Sequence, residues 1–436
     1  MSVWSSLAAC ITRFATAAMV LPVLAGTAPP ARADMVTDWN VIALDTIPAM
    51  IMGPPQARLM GYVQAAVFDA VNSVERRYTP YALDLRVPRA SIDAAAAAAA
   101  HGMLIRFYPS QKATLDARLS RSLVPIPDGE AKNAGIDLGA AVAETVYGLS
   151  LKDGSDATDP VYRPGRDPWS WQPTAPDMEP RGLIWGQIKP FMLKSADQFA
   201  FPGPHKVTSA EYAKDLEEVR LLGGVNSTQR TADQTAVAIF WTGSPTNVYN
   251  AVARTVGTAK GSSLIDNARL LALLNMAGSD ASVATWRHKY TSNFLRPVTA
   301  IRNADKLDNP ALTKDADWTP LLVTPPHPDY PSAHGAIAGA STGVLRLFFD
   351  ADAMDANYIY PPLGVTRRWT SFSQIAEELD NARVWGGIHT RTADEHARMV
   401  GGRIAEFALT KFLKPTERAV QAGSPLRGAG AGSPAK

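Results

Sequence analysis

Apolar residues recur every three or four positions over most of this chain, the pattern of helices that bury one face. Residues 57–76, Ala57 to Arg76, show it clearly. Residues 91–107 carry an alanine run that favours helix strongly. Two more amphipathic helices are predicted over 110–123 and 129–150. The pattern returns at 208–222, 228–242, 246–257 and 265–290, where Leu270, Leu271, Leu273, Leu274 and Met276 make a broad apolar face. Further helices are predicted at 331–349, 370–385 and 391–413. No segment shows sustained alternation between turn signals, so no strand is predicted. The expected fold class is all-α, made of helical bundles.

The breaks in this pattern divide the chain. Residues 154–184 hold Pro160, Pro164, Pro168, Pro173, Pro176 and Pro180 with several tryptophans, which reads as a long ordered loop. The start reads as an export signal: Arg13, an apolar stretch from Phe14 to Ala25, and Ala31-Arg32-Ala33 before Asp34. That stretch is too short, and too broken by Pro22 and Gly26, for stable membrane insertion. The expected division is a signal peptide (1–33), an N-terminal helical region with the Pro-rich loop (34–200), a C-terminal helical bundle (201–414) and a disordered tail (415–436). A periplasmic or secreted location follows from the signal.

Composition narrows the chemistry. With 46% hydrophobic and 19% charged residues, the body of the 436-residue chain is globular. A net charge of +2 and the absence of a Lys/Arg run exclude a nucleic-acid partner. The single cysteine, Cys10, lies in the signal, so the mature chain lacks disulfides, thiolate catalysis and Cys-ligated metal. No cluster has the spacing of a divalent-metal site. Oligomeric state is left open.

Three short stretches carry the chemistry. In the first, Lys289 and Arg296 are seven residues apart; on one helix that places both cations on one face, and Pro297 then ends the helix. In the second, Pro331-Ser332-Ala333-His334 opens a helix whose free N–H groups make an anion site. Ser332 adds a hydroxyl there, His334 an acid–base group, and the small residues Gly335, Ala336, Ala338, Gly339 and Ala340 allow close helix approach. In the third, Gly386 and Gly387 let Arg383 and His389 converge from a bent segment. Taken singly, each reads as well as a solvated cation pair, an ordinary cap, or a structural histidine. Together they supply what a tetrahedral or five-coordinate oxyanion needs: cations, a hydroxyl, backbone donors and two imidazoles.

The order Lys…Arg-Pro, Pro-Ser-x-His, Arg-x5-His resembles the type 2 phosphatidic acid phosphatase superfamily, and within it the vanadium-dependent haloperoxidase branch. The likeness extends to Asp266–Asn275, to the run from Asp280 through Trp286 to Lys289, to Phe240-Trp241 and to Phe68–Asn72. The resemblance implies vanadate as cofactor, held by Lys289, Arg296, Ser332, the backbone of Ala333, and Arg383, with His389 bonded axially to vanadium and His334 as acid–base group. Hydrogen peroxide, halide (bromide or chloride) and a small organic acceptor would be the substrates, and a hypohalous acid equivalent the product. The phosphatase branch implies an alternative: an exported acid phosphatase hydrolysing phosphomonoesters, with His389 attacking phosphorus. A non-catalytic oxyanion binder is a third reading, disfavoured because every polar member of the cage is present. Trp286 and His327 are candidate halide-pocket residues, and His327 hints at bromide or iodide.

Three departures from the family pattern stand out. Ala333 takes the place of the usual glycine. The His-x3-Asp pattern is unmet, with Asp394 one place late and a candidate to orient His389. No acid follows Phe240-Trp241 to orient His334. His288, His396, His101 and His205 read as structural or peripheral, and Asp69 and Asp280 as members of buried hydrogen-bond networks.

Overall fold

The computed structural model describes residues 34–48, 51, 53–175, 178–362 and 364–417. The predicted signal peptide with Cys10, Pro176, and the predicted tail beyond 417 lie outside the described residues. Among those described, the chain is helical: α1 (Met35–Thr46), α2 (Pro54–Glu75), α3 (Ile92–Phe107), α4 (Lys112–Leu123), α5 (Glu130–Ser150), α6 (Ala210–Leu222), α7 (Ala232–Phe240), α8 (Pro245–Ala259), α9 (Leu264–Ser292), α10 (Pro297–Arg302), α11 (Ala333–Phe349), α12 (Phe372–Trp385) and α13 (Arg391–Lys411). The expected all-α class holds, with one antiparallel hairpin of β1 (Ala353–Tyr360) and β2 (Val365–Ser371) added. No described helix is long and apolar enough to cross a membrane.

Helix starts follow local chemistry. Ser91, Ser209, Thr231, Ser263, Ser332 and Ser371 each accept a backbone N–H of the first turn. Asp34 and Thr37 form a reciprocal capping box that starts α1, a helix the periodicity did not predict. The hairpin was not predicted either. Its strands bury only Ala356 and Trp369, so they carry no alternating apolar signal.

The 29-residue α9 runs through the core and is buried along most of its length. α2 packs along it from the first half of the chain, and α11 and α13 from the second. One apolar cluster therefore spans both sides of position 200. α9 also carries Asp280, whose carboxylate accepts the N–H groups of Phe191, Met192 and Leu193 at 2.6, 2.8 and 3.0 Å. Asp69 on α2 does the same for Tyr81, Ala82 and Leu83. Burial pushes Asp280 up to about 7 despite its three donors. The native state thus holds this proton more firmly than the unfolded chain does, and the stability it contributes fades as pH rises through about 7. Wild type is expected to lose stability relative to Asp280→Asn between about pH 4 and 8, read by urea denaturation across that range. A pH-independent difference would contradict it.

α11 and α13 touch without side chains between them. A Cβ on Gly339 would collide with the Arg398 carbonyl, and one on Gly401 with the Ala336 carbonyl. Gly339→Ala is expected to destabilise the protein by about 1–3 kcal/mol through overpacking, measured by thermal unfolding.

Candidate active site

Four segments converge at one end of α9, α11, α12 and α13. Lys289 is fully buried in the last turn of α9, where its Nζ donates to the carbonyls of Pro328 and Asp329 at 2.9 and 3.0 Å. Arg296 does not continue that helix. Asn293, with φ 45°, caps α9 in the left-handed conformation, and Arg296 is the N-cap of α10, which Pro297 opens rather than ends. The two cations meet because the chain turns back, not because they share a helical face. Segment 293–295 is held on both sides: the Trp171 N–H donates to the Asn293 carbonyl, Leu295 N–H to Trp169, and Asp329 N–H to Phe294. The Pro-rich loop thus frames the segment that presents Arg296.

Arg296 is the hub. Its Nε donates to the His327 carbonyl at 2.8 Å, one terminal nitrogen reaches His327 Nδ1 at 2.9 Å, and the other donates to the Ile388 carbonyl at 2.5 Å. That last nitrogen also lies 3.2 Å from His389 Nε2. His389 follows Gly387, whose φ of 75° turns the chain out of α12. Its Nδ1 lies 2.6 Å from Asp329 Oδ1. Arg383, in the last turn of α12, donates to the Trp241 carbonyl at 2.9 Å, while its buried Nε has no partner.

Ser332 is the N-cap of α11, with Ala333 and His334 as its first two residues. Pro331 precedes the helix after a cis bond instead of occupying its first position. Ala333 has helical backbone, so its methyl is accommodated where the family pattern has glycine. The first N–H groups of α11 have no acceptor within the helix. His327 packs edge-on against Trp286, with ring centroids 4.7 Å apart. Gly182 of the Pro-rich loop lies directly on the Trp286 ring, whose Nε1 is buried and unpaired.

The electrostatics are those of a cation cage. Burial, and then Arg296 beside it, push the Lys289 amine well below the usual lysine range, against the pull of Asp329 and Asp394. Burial lowers Arg296 and Arg383 to about 10. His334 keeps some exposed surface, yet its pKa falls well below 6.5 through desolvation and then Arg383, Lys289 and Arg296. His389 and His327 are lowered for the same reasons. Both cage histidines are thus neutral without an anion. Desolvation lifts Asp329 to about 6 and Asp394 well above 3.8.

Lys289, Arg296, Ser332, Ala333, His334, Arg383 and His389 are brought together, with His327 and Trp286 beside them. Asp394 does not orient His389. It sits in the first turn of α13 behind the cage, with the Ser332 hydroxyl favouring its charged form, but neither of its oxygens reaches a partner at full hydrogen-bond geometry. Sequence reasoning missed Asp329, Thr390 and the Trp241 carbonyl. Among the described residues, no carboxylate is found acting on His334. His288 packs on Phe201, His396 bonds Tyr330, His101 bonds Asp116, and His205 lies against His396, all outside the cage. No described cluster of His, Cys, Asp or Glu could hold a metal ion.

The segment that builds the cage, residues 269–418, matches the family model of the VCPO second helical-bundle domain. The chain is 27% identical to the vanadium chloroperoxidase of Curvularia inaequalis over 396 aligned positions, covering 72% of this chain and 65% of that relative's length. By this segment and this relative, the chain is similar to vanadium-dependent haloperoxidases. Solved structures of vanadium-dependent haloperoxidases share its fold. A bacterial vanadium-dependent iodoperoxidase superposes with a TM-score of 0.73 at 24% identity, over 88% of this chain and 96% of that one. An apo-type bacterial vanadium-dependent chloroperoxidase does so at 0.69 and 19%, over 85% and 96%.

Proposed function

We propose that the chain is a vanadium-dependent haloperoxidase that oxidises bromide or chloride with hydrogen peroxide to a hypohalous acid equivalent. The observation that carries the reading is three buried cations around neutral His389, with Arg383 Nε left without a partner. A buried cation cluster of this kind is costly unless an anion completes it. Vanadate fits. Lys289, Arg296 and Arg383 would neutralise its oxygens, Ser332 and the Ala333 N–H would donate to them, and His389 would supply the nitrogen bond.

Bound vanadate supplies a Lewis-acidic centre that activates peroxide towards halide. The residues of the chain do the rest. The three cations hold the oxygens and withdraw charge from them. Neutral His334 accepts a proton on its ring as peroxide enters, and returns it as water leaves, so that halide, peroxide and one proton give hypohalous acid and water. A bound anion reverses the repulsion His334 feels from Arg383, Lys289 and Arg296, which raises its pKa towards the range where this exchange works.

Purified protein given vanadate, peroxide and bromide should brominate a dimedone-type acceptor. The phosphatase reading rests on the His389–Asp329 contact, an arrangement that also suits a nucleophilic histidine. Rapid hydrolysis of a nitrophenyl phosphate without bromination would replace the first reading by the second. Export also belongs to the proposal. Asp34, which follows the A-x-A pattern, is the N-cap of α1, so cleavage before it leaves a capped helix.

A further inference from the structure

Two residues before the anion-binding turn, Asp329 engages the cage with every polar atom it has. Oδ1 accepts from His389 Nδ1 at 2.6 Å and Oδ2 from the Thr390 hydroxyl at 2.9 Å. Its carbonyl accepts from Lys289 Nζ at 3.0 Å, and its N–H donates to the Phe294 carbonyl at 2.9 Å. One fully buried residue thereby ties together the segments carrying Lys289, Arg296 and His389.

The tautomer of His389 is set at one ring nitrogen. Nδ1 faces a carboxylate oxygen, to which it must donate. An Arg296 terminal nitrogen lies 3.2 Å from Nε2 and 3.4 Å from Nδ1, nearly equidistant and so over the ring face, outside the line of either in-plane lone pair. The short contact of the ring is the 2.6 Å one between Nδ1 and Asp329. Asp329 therefore selects one tautomer, with the proton on Nδ1 and the lone pair on Nε2.

We propose that Asp329 is the positioning residue of the cage, holding His389 in the Nδ1-protonated form with Nε2 aimed at the central atom of a bound oxyanion. The acid comes from the loop before α11, not from α13 where the family's His-x3-Asp pattern places it. A carboxylate in this position fixes ring orientation and increases the donor strength of the opposite nitrogen. The proposal rests on the oxyanion reading of the cage, and it is tested without turnover.

Vanadate affinity is measured calorimetrically for wild type, Asp329→Asn and Asp329→Ala, and the His389 tautomer by long-range proton–nitrogen NMR on histidine-labelled protein. Wild type should show a protonated Nδ1. Asp329→Ala should lose that preference and bind vanadate about 10–100-fold more weakly. Asp329→Asn keeps an acceptor of the same shape and should fall between them. It also serves if the alanine variant does not fold. A purely structural role would lower the melting temperature of both variants while the folded protein kept its tautomer and its affinity, and that result overturns the proposal. So does a wild-type His389 protonated on Nε2. Asp329-dependent vanadate binding in a protein that brominates nothing would retire the haloperoxidase reading and leave the positioning role standing. A wild type that binds no vanadate retires both.

Discussion

His389→Ala is expected to abolish vanadate-supported bromination, with kcat falling on the order of 10^3-fold or more at saturating peroxide and bromide. The size follows from the site's construction. The other polar members of the cage act through hydrogen bonds and charge, several at once, so losing one leaves the rest. His389 is the imidazole whose lone pair would meet the central atom, and no other imidazole is placed to replace it. His334 starts α11, and His327 already spends Nδ1 on Arg296. The variant should still fold, since the void left is one ring deep. It leaves Asp329 with Thr390 and, at 3.8 Å, Arg296, so a cost of about 1–3 kcal/mol is expected for the lost donor. Initial rates of acceptor bromination, with circular dichroism as the check on folding, read both effects. A variant with undiminished rate would mean that the cage is not the reacting site.

Arg383→Met is expected to move activity and stability in opposite directions. Activity should fall about 10^2–10^3-fold, the usual effect of removing one charged donor from developing negative charge. The unloaded protein should be as stable as wild type or more so. In wild type the Arg383 guanidinium is buried beside Arg296 and Lys289, its Nε is unpaired, and its remaining bond is to one backbone carbonyl. Asp394 opposes this charge but makes no hydrogen bond to it, so the buried guanidinium costs more than a thioether of similar length. Added oxyanion should reverse the order. At 100 times Kd, a ligand that binds only the folded state contributes about 2.7 kcal/mol, which wild type should show as a raised melting temperature in vanadate or phosphate. Thermal unfolding of both proteins with and without the anion makes the comparison. An unloaded Arg383→Met protein that is markedly less stable, with the anion shift intact, would contradict the argument.

How much of this was legible in the sequence depends on the range of the interaction that decides each feature. The long helices were readable because apolar spacing is a local property, and their starts because Ser, Thr and Asp cap within three residues. The three motifs were readable because each packs its polar groups into a few positions. Their geometry was only partly so. The seven-residue gap from Lys289 to Arg296 fits two helical turns, but nothing like Gly or Pro precedes the break that Asn293 makes at φ 45°. Asp329 sits in an aperiodic loop, 60 residues from the histidine it contacts, so no window along the chain could join them. Asp394 attracted attention by its place after His389, yet a one-residue shift on a helix turns a side chain by about 100°, enough to send it behind the cage. The hairpin carried no alternation because it buries almost nothing.

The contact of α11 with α13 has a consequence for how this site tolerates change. Both helices begin at the cage, and their separation there is set by backbone meeting backbone at Gly335, Gly339 and Gly401. Side chains that reach a ligand can be exchanged for others of similar reach, but a missing side chain has no smaller substitute. A saturation scan scored on halide oxidation should therefore find Gly339 and Gly401 among the sensitive positions, though neither is a member of the cage.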